Sequence, residues 1–210
     1  MAKEASKPFK FVGGHLCLDF NNTVDWVGPD PCEGEYLSDY RRLVAWAGEA
    51  GVLAPGAMEP LLDQWTANPA LGEAALGRAR SARTTIHRVF WGIIAGGPPL
   101  QSELEQLNSL LREAPADLEY DSHHKCCVWS WSSQNRDLTN PIWPVIWSAA
   151  ELLTAAELAN VKACANDTCG WLFLDTSRKH NRKWCEMGVC GNRAKARRFY
   201  DRRKRRAQGS

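Results

Sequence analysis

Apolar residues recur at steps of three and four over most of the first 158 positions, so the chain predicts helices more often than strands. The clearest run is Ala70 to Ile94, where Leu71, Ala75, Ala79, Ala82, Ile86, Phe90 and Ile93 fall on one stripe. Gly96, Gly97, Pro98 and Pro99 stop it. Leu43, Val44, Trp46 and Ala47 mark a second stripe, on a helix predicted from an N-cap at Ser38 to about Ala50, with Gly51 as its stop. Glu59 to Trp65 reads as a short helix. Ser102 and Glu105 form a capping-box pattern ahead of Leu104, Leu107, Leu110 and Leu111. Pro144 suits the first turn of a helix through Leu153, and Thr154 with Glu157 repeats the capping-box pattern. Strand signals are fewer. Phe11 to Val24 reads as a strand followed by a turn at Asn21-Asn22, Gly28 to Gly34 as loop, and Leu118 to Tyr120 with Lys125 to Trp131 as a hairpin around Asp121 to His124. The expected fold class is α+β: a mainly helical domain with a small antiparallel sheet over residues 1–158, and a small second module over 159–210.

Composition supports a packed body. Forty-four per cent of the residues are hydrophobic and ten are Trp, enough to bury a core. The first apolar run is short and interrupted by Gly13, Gly14, His15 and Asp19, unlike a signal peptide or membrane span. A soluble, cytoplasmic protein is expected, with no membrane partner.

Charge divides the chain. Residues 178–206 carry 13 Lys or Arg against two acids, Glu186 and Asp201, a net of +11; the remaining residues carry 13 basic groups against 22 acids, a net of −9. An acidic body with a basic end points to a polyanion partner.

The cysteines give that basic segment a frame. Four of the eight form two equally spaced pairs, Cys164-x4-Cys169 and Cys185-x4-Cys190, fifteen residues apart. Four thiolates suit a tetrahedral structural Zn2+ ion and leave no open position for a catalytic water; free or redox cysteines are the alternative. Gly170 to Asp175 is strand-like, Thr176 to Asn181 turn-like, and Arg182 to Trp184 is placed to return as a second strand. Residues from Gly191 to Arg206 then predict a helix. Such a knuckle, hairpin and helix make a treble-clef-like zinc finger, with Trp171, Leu172, Phe173, Trp184 and Phe199 as its minimal core. Zinc would supply on the order of 10 kcal/mol of folding free energy in so small a module. On this reading Cys185→Ser unfolds the finger and spares the rest.

Along the predicted helix, Arg193, Arg197 and Lys204 share one face, Lys195, Arg198, Arg202 and Arg205 an adjoining one, and Ala194, Ala196 and Phe199 remain to face the hairpin. With Arg178, Lys179, Arg182 and Lys183 from the preceding turn, these cations suit duplex DNA, most of them on phosphate. Asn192 and Arg193 are the candidates for base contacts, since Asn pairs with adenine and Arg with guanine. Asn192 can equally cap the helix or bond a cysteine sulfur.

The segment CANDTCGWLFLDTSRKHNRKWCEMGVCGNRAKARRFYDRR, Cys164 to Arg203, closely resembles the CGNR zinc-finger family, whose signature is Cys190-Gly191-Asn192-Arg193. Leu16 to Trp26 (LCLDFNNTVDW), Leu43 to Leu53 (LVAWAGEAGVL) and Trp143 to Leu158 (WPVIWSAAELLTAAEL) resemble the ABATE domain that accompanies this finger in bacterial proteins. The resemblance implies a stress-related transcription regulator with an N-terminal ligand-sensing domain, and four cysteine ligands to zinc. At Ala82-Arg83-Thr84-Thr85 the chain departs from the family's usual Leu-Arg followed by an acid.

Asp19, Asn22 and Arg83 are polar positions inside apolar pattern. They either bond one another or, with Trp46 or Trp26 as a wall, line a small-molecule effector pocket. No nucleophile–base pair, phosphate loop or spaced carboxylates is visible, so a non-enzyme is expected. A homodimer suits the small footprint of one finger. The rival functions are RNA binding through Trp171, Trp184, Phe199 and Tyr200, an enzyme with a localising finger, and a finger docking an acidic protein.

Overall fold

The structure is a computed structural model and describes residues 7–54, 56–131 and 138–208, without the side chains at 131, 202, 203 and 205–208. It is α+β, with helices dominating and three two-stranded antiparallel sheets among the described residues.

The first element departs from expectation. Residues Leu16–Asn21 form a short helix, α1, where a strand was expected. Leu16, Leu18 and Phe20 alternate like a strand, yet Cys17 and Asn21 are buried as well. A segment buried nearly all round carries no readable period. Trp26–Val27 (β1), just before the expected loop, and Asp30–Pro31 (β2), inside it, make a minimal hairpin.

Helix α2 (Tyr40–Glu49) starts one residue later than expected. Asp39, not Ser38, is its N-cap, and its carboxylate accepts the Arg42 amide at 2.9 Å. Its far end closes in a Schellman motif: Gly51 has φ +71°, and the Val52 amide reaches back to the Ala47 carbonyl at 2.8 Å. Helices α3 (Met58–Ala67), α4 (Pro69–Ile94) and α5 (Gln101–Glu113) follow the periodicity closely. The two capping boxes do not form. Ser102 lies inside the first turn of α5, whose N-cap is Leu100. Thr154 ends helix α6 (Trp143–Thr154), and its hydroxyl donates back to the Ala150 and Glu151 carbonyls.

The expected hairpin is present as β3 (Ala116–Asp121) and β4 (Cys126–Trp131), with Leu118 opposite Trp129. A 3-10 turn, Ala156–Asn160, then leads directly into β5 (Val161–Ala163), which pairs antiparallel with β6 (Leu172–Leu174). Arg182 to Trp184, expected as the partner strand, is not a strand. The Arg182 amide bonds the Asp175 carboxylate instead, and the Lys183 carbonyl accepts the Ala165 amide at 2.8 Å.

Strand β6 joins the two halves of the molecule. Successive strand side chains point to opposite faces, and here both faces are buried. Leu172 and Leu174 belong to the main core, which also holds Leu18, Phe90 and Ile146. Trp171 and Phe173 enter a second core with Val24, Trp26 and the cysteines. Fully burying a Leu or Phe side chain is worth roughly 1.5–3 kcal/mol, so both cores draw stability from one strand. The expected boundary near residue 159 falls inside the 3-10 turn Ala156–Asn160, which runs straight into β5. No helix among the described residues is long and apolar enough to cross a membrane.

Candidate metal centre and nucleic-acid interface

The β5–β6 hairpin carries the first cysteine pair at its turn. Cys164 follows the last residue of β5, its amide donating to the Trp171 carbonyl at 2.9 Å, and the Cys169 amide closes the knuckle on the Asn166 carbonyl at 2.8 Å. The second pair comes from the return segment and a wide helical turn, Met187–Gly191, in which the Cys190 amide bonds the Glu186 carbonyl at 2.9 Å. Helix α7 (Asn192–Gln208) leaves straight from that turn.

These pieces bring the four sulfurs of Cys164, Cys169, Cys185 and Cys190 within 4.8 Å of one another. Cys169 Sγ lies 3.8 Å from Cys185 Sγ, and Cys185 Sγ 3.7 Å from Cys190 Sγ. A tetrahedral zinc–thiolate centre with bonds near 2.3 Å has sulfur–sulfur edges of about 3.8 Å, so the cluster fits the ion. Hydrogen bonds with Cys169 and Cys185 pull the Cys164 thiol far below its usual range, and hydrogen bonds with Cys164 and Cys169 hold Cys185 far above its own. Thiolates this close need a cation. The cluster is a closed site for one structural Zn2+, with every position taken by protein.

The finger is fastened to the body by backbone and amide contacts. The Asn22 side chain bonds both backbone groups of Leu172: Nδ2 donates to its carbonyl at 2.8 Å, and Oδ1 accepts its amide at 3.0 Å. The Gly170 amide donates to the Trp26 carbonyl at 3.1 Å, the Leu174 amide to the Gly13 carbonyl at 2.7 Å, and Trp171 Nε1 to the Val24 carbonyl at 2.9 Å. Trp26 stacks flat on His87, with centroids 3.7 Å apart, and His87 stacks in turn on Trp91. Burial lowers the His87 pKa to about 4, so the ring in this stack is neutral at physiological pH.

Asp19, Asn22, Trp46 and Arg83 do not gather into a pocket. Asp19 accepts the Gly13 amide at 2.7 Å, and burial pushes its carboxyl up to about 6. Asn22 is taken by Leu172. Trp46 is core, 4.9 Å from the Phe20 ring. Arg83 is buried and bonds the Thr23 carbonyl and hydroxyl together with the Glu35 carboxylate. Each has a structural partner of its own.

The basic residues sort differently. Arg178, Lys179, Lys183, Arg193, Lys195, Arg197 and Arg198 are exposed, and the side chain of Arg202, like that of Arg205, lies outside the described residues. Arg182 faces inward: its guanidinium sits 4.3 Å from the Phe173 ring centroid and donates to the Val12, Trp184 and Cys185 carbonyls. Arg197 pairs with Asp167 of the knuckle at 2.6 Å. The Asn192 amide donates to the Gly188 carbonyl at 2.9 Å, which fixes the start of α7. Phe199 does not face the hairpin; it is 52% exposed.

Asp175 organises the loop that presents Arg178 and Lys179, and nothing in the sequence pattern singled it out. It is buried, and burial alone would raise its pKa, but Lys162, Ser177 and the Arg182 amide all donate to it and hold it well below the usual carboxylate range. Gly170 was also missed, although a glycine directly after a ligand cysteine is a sign of close backbone approach.

Two family models match the chain. One, ABATE, described as "Putative stress-induced transcription regulator", covers residues 14–156; the other, the CGNR zinc finger, covers residues 160–203. No curated protein matches it. The chain therefore belongs to the ABATE family and carries a CGNR zinc finger after the ABATE region.

Proposed function

We propose that the protein is a zinc-dependent transcription regulator that binds duplex DNA through the loop at 176–183 and helix α7, while the ABATE region senses a small molecule and does no catalysis. The observation that carries the reading is α7. It holds nine Lys or Arg against one acid, Asp201, and it starts at a zinc ligand, so the metal sets its direction. The exposed Lys195 and Arg198 with Arg178, Lys179 and Lys183 supply phosphate contacts. Arg193 is the remaining candidate for base readout, because the Asn192 amide is engaged by Gly188.

Each phosphate contact releases condensed counterion and adds about 0.9 to the slope of log affinity against log salt. Duplex affinity of the zinc-loaded protein falls steeply with salt, and Arg198→Ala lowers that slope by about 0.9. Salt-independent binding, or an unchanged slope in the variant, defeats the reading. Selection from random duplexes then gives the site, and palindromy in it speaks for a homodimer.

Exposed Phe199 and Tyr200, 52% and 67% accessible on the same helix, favour a second reading, in which unpaired RNA bases stack there. Direct competition between duplex DNA and structured RNA separates the two.

A further inference from the structure

A cavity of about 530 Å³ opens beside the zinc cluster, between the 25–36 loop and the finger. That is within the usual range for small-molecule sites. Tyr36 and Trp171, with ring centroids 6.0 Å apart, and Val189 give it apolar walls.

Its charged groups are balanced. Lys7, Lys10 and Arg193 face Asp25, Glu33 and Glu186, three cations against three acids. Lys10 and Glu186 are already paired with each other. Asp25 is half-buried, and its carboxylate has no side-chain partner among the described residues. Gly34, at φ +114°, makes room for it: a Cβ there would lie 2.1 Å from Asp25 Oδ2. Burial raises the Asp25 pKa, while Lys7 and Arg193 act on it through their charge without reaching ion-pair distance. Lys7 Nζ instead stands over the Tyr36 ring at 5.3 Å. An acid and two cations thus border the cavity, separated by space that a ligand can fill.

We propose that this cavity is the effector site, and that it takes a small zwitterion with an apolar side chain, of the α-amino-acid class. An ammonium group meets Asp25, a carboxylate meets Arg193 and Lys7, and the side chain lies against Tyr36, Trp171 and Val189. Equal numbers of opposite charges favour a neutral zwitterion over a polyanion, which would leave Asp25 and Glu33 unmatched. The proposal specifies the sensing half of the function given above. It also ties the effector to DNA, since Arg193 belongs to both sites.

Calorimetry without DNA tests it, and so reads ligand binding whether or not the DNA reading holds. The titrant for the zinc-loaded full chain is L-phenylalanine, compared with 2-phenylethylamine, N-acetyl-L-phenylalanine and inorganic phosphate. L-phenylalanine binds saturably, and losing either charged group weakens binding by about tenfold or more. Asp25→Asn and Lys7→Gln each weaken L-phenylalanine, with zinc content and melting temperature unchanged; Lys7→Gln, on the exposed rim, keeps the test valid if Asp25→Asn does not fold. No saturable heat at millimolar L-phenylalanine, equal binding of all the amino-acid-like probes, or preference for phosphate overturns the proposal.

Discussion

Replacing Asn22 with alanine removes both bonds that its side chain makes to Leu172 of strand β6. The amide and carbonyl of Leu172 accept no substitute, because Leu172 is fully buried and water has no access to them. A buried backbone group stripped of its partner costs about 1–3 kcal/mol, so the pair is worth about 2–6 kcal/mol. A domain of this kind is stable by about 5–15 kcal/mol in all, so the loss is a large share. With a urea dependence near 2 kcal/mol per molar, the unfolding midpoint falls by about 1–3 M. Because β6 also bears the zinc knuckle, the variant surrenders zinc to a chelator faster than the parent chain. Urea titration followed by Trp fluorescence, with zinc release read by a metallochromic dye, measures both. A midpoint within 0.3 M of the parent (under about 1 kcal/mol on the same slope), or unchanged zinc release, would refute the claim that Asn22 couples the finger to the body.

Three further outcomes follow from the same contacts. Cys185→Ser abolishes zinc binding and lowers the melting temperature of the whole chain in one transition; a melt in which the body unfolds at its original temperature restores the picture of an independent finger. Gly170→Ala places a Cβ 2.6 Å from Trp26 Cβ and 3.0 Å from its carbonyl, and overpacking of that kind costs about 1–3 kcal/mol, which thermal melting reads. Asp19, with its carboxyl raised to about 6 by burial, favours the folded state fully below its ordinary value near 3.8, and loses that contribution as pH rises through 6. Stability of the parent relative to Asp19→Asn therefore declines between pH 4 and 7 (roughly the span bracketing the two pKa values), and a flat difference removes the assignment.

The long helices and the zinc ligands were legible in the sequence because each has a period or spacing that local physics enforces. Helix α4 shows its buried stripe from Ala75 to Phe90, about four turns, and the cysteines pair at a fixed interval. What was not legible depends on partners distant in sequence. Asn22 looked like a pocket residue or a turn residue, and its role appears only when Leu172 lies beside it. Arg182 sat in a run of cations, and only the Phe173 ring and three carbonyls mark it as interior. Arg182 to Trp184 had the look of a strand, but its backbone groups are taken by Asp175 and Ala165. Asp19, Asn22 and Arg83 were expected either to bond one another or to line a pocket; each instead bonds a different partner, which could not be read from their spacing.

The placement of β6 also sets an order of manufacture. Residues 22 and 172 are 150 positions apart, so α1 leaves the ribosome long before the strand that covers it. The body can form its local helices in the meantime, but the space that Leu172 and Leu174 fill stays open until the finger has been made and metallated. Completion of the fold is therefore also a test of zinc supply. A chain made in zinc shortage keeps the space that Leu172 and Leu174 fill open to proteases and chaperones, and the cell's stock of the protein follows its stock of the metal.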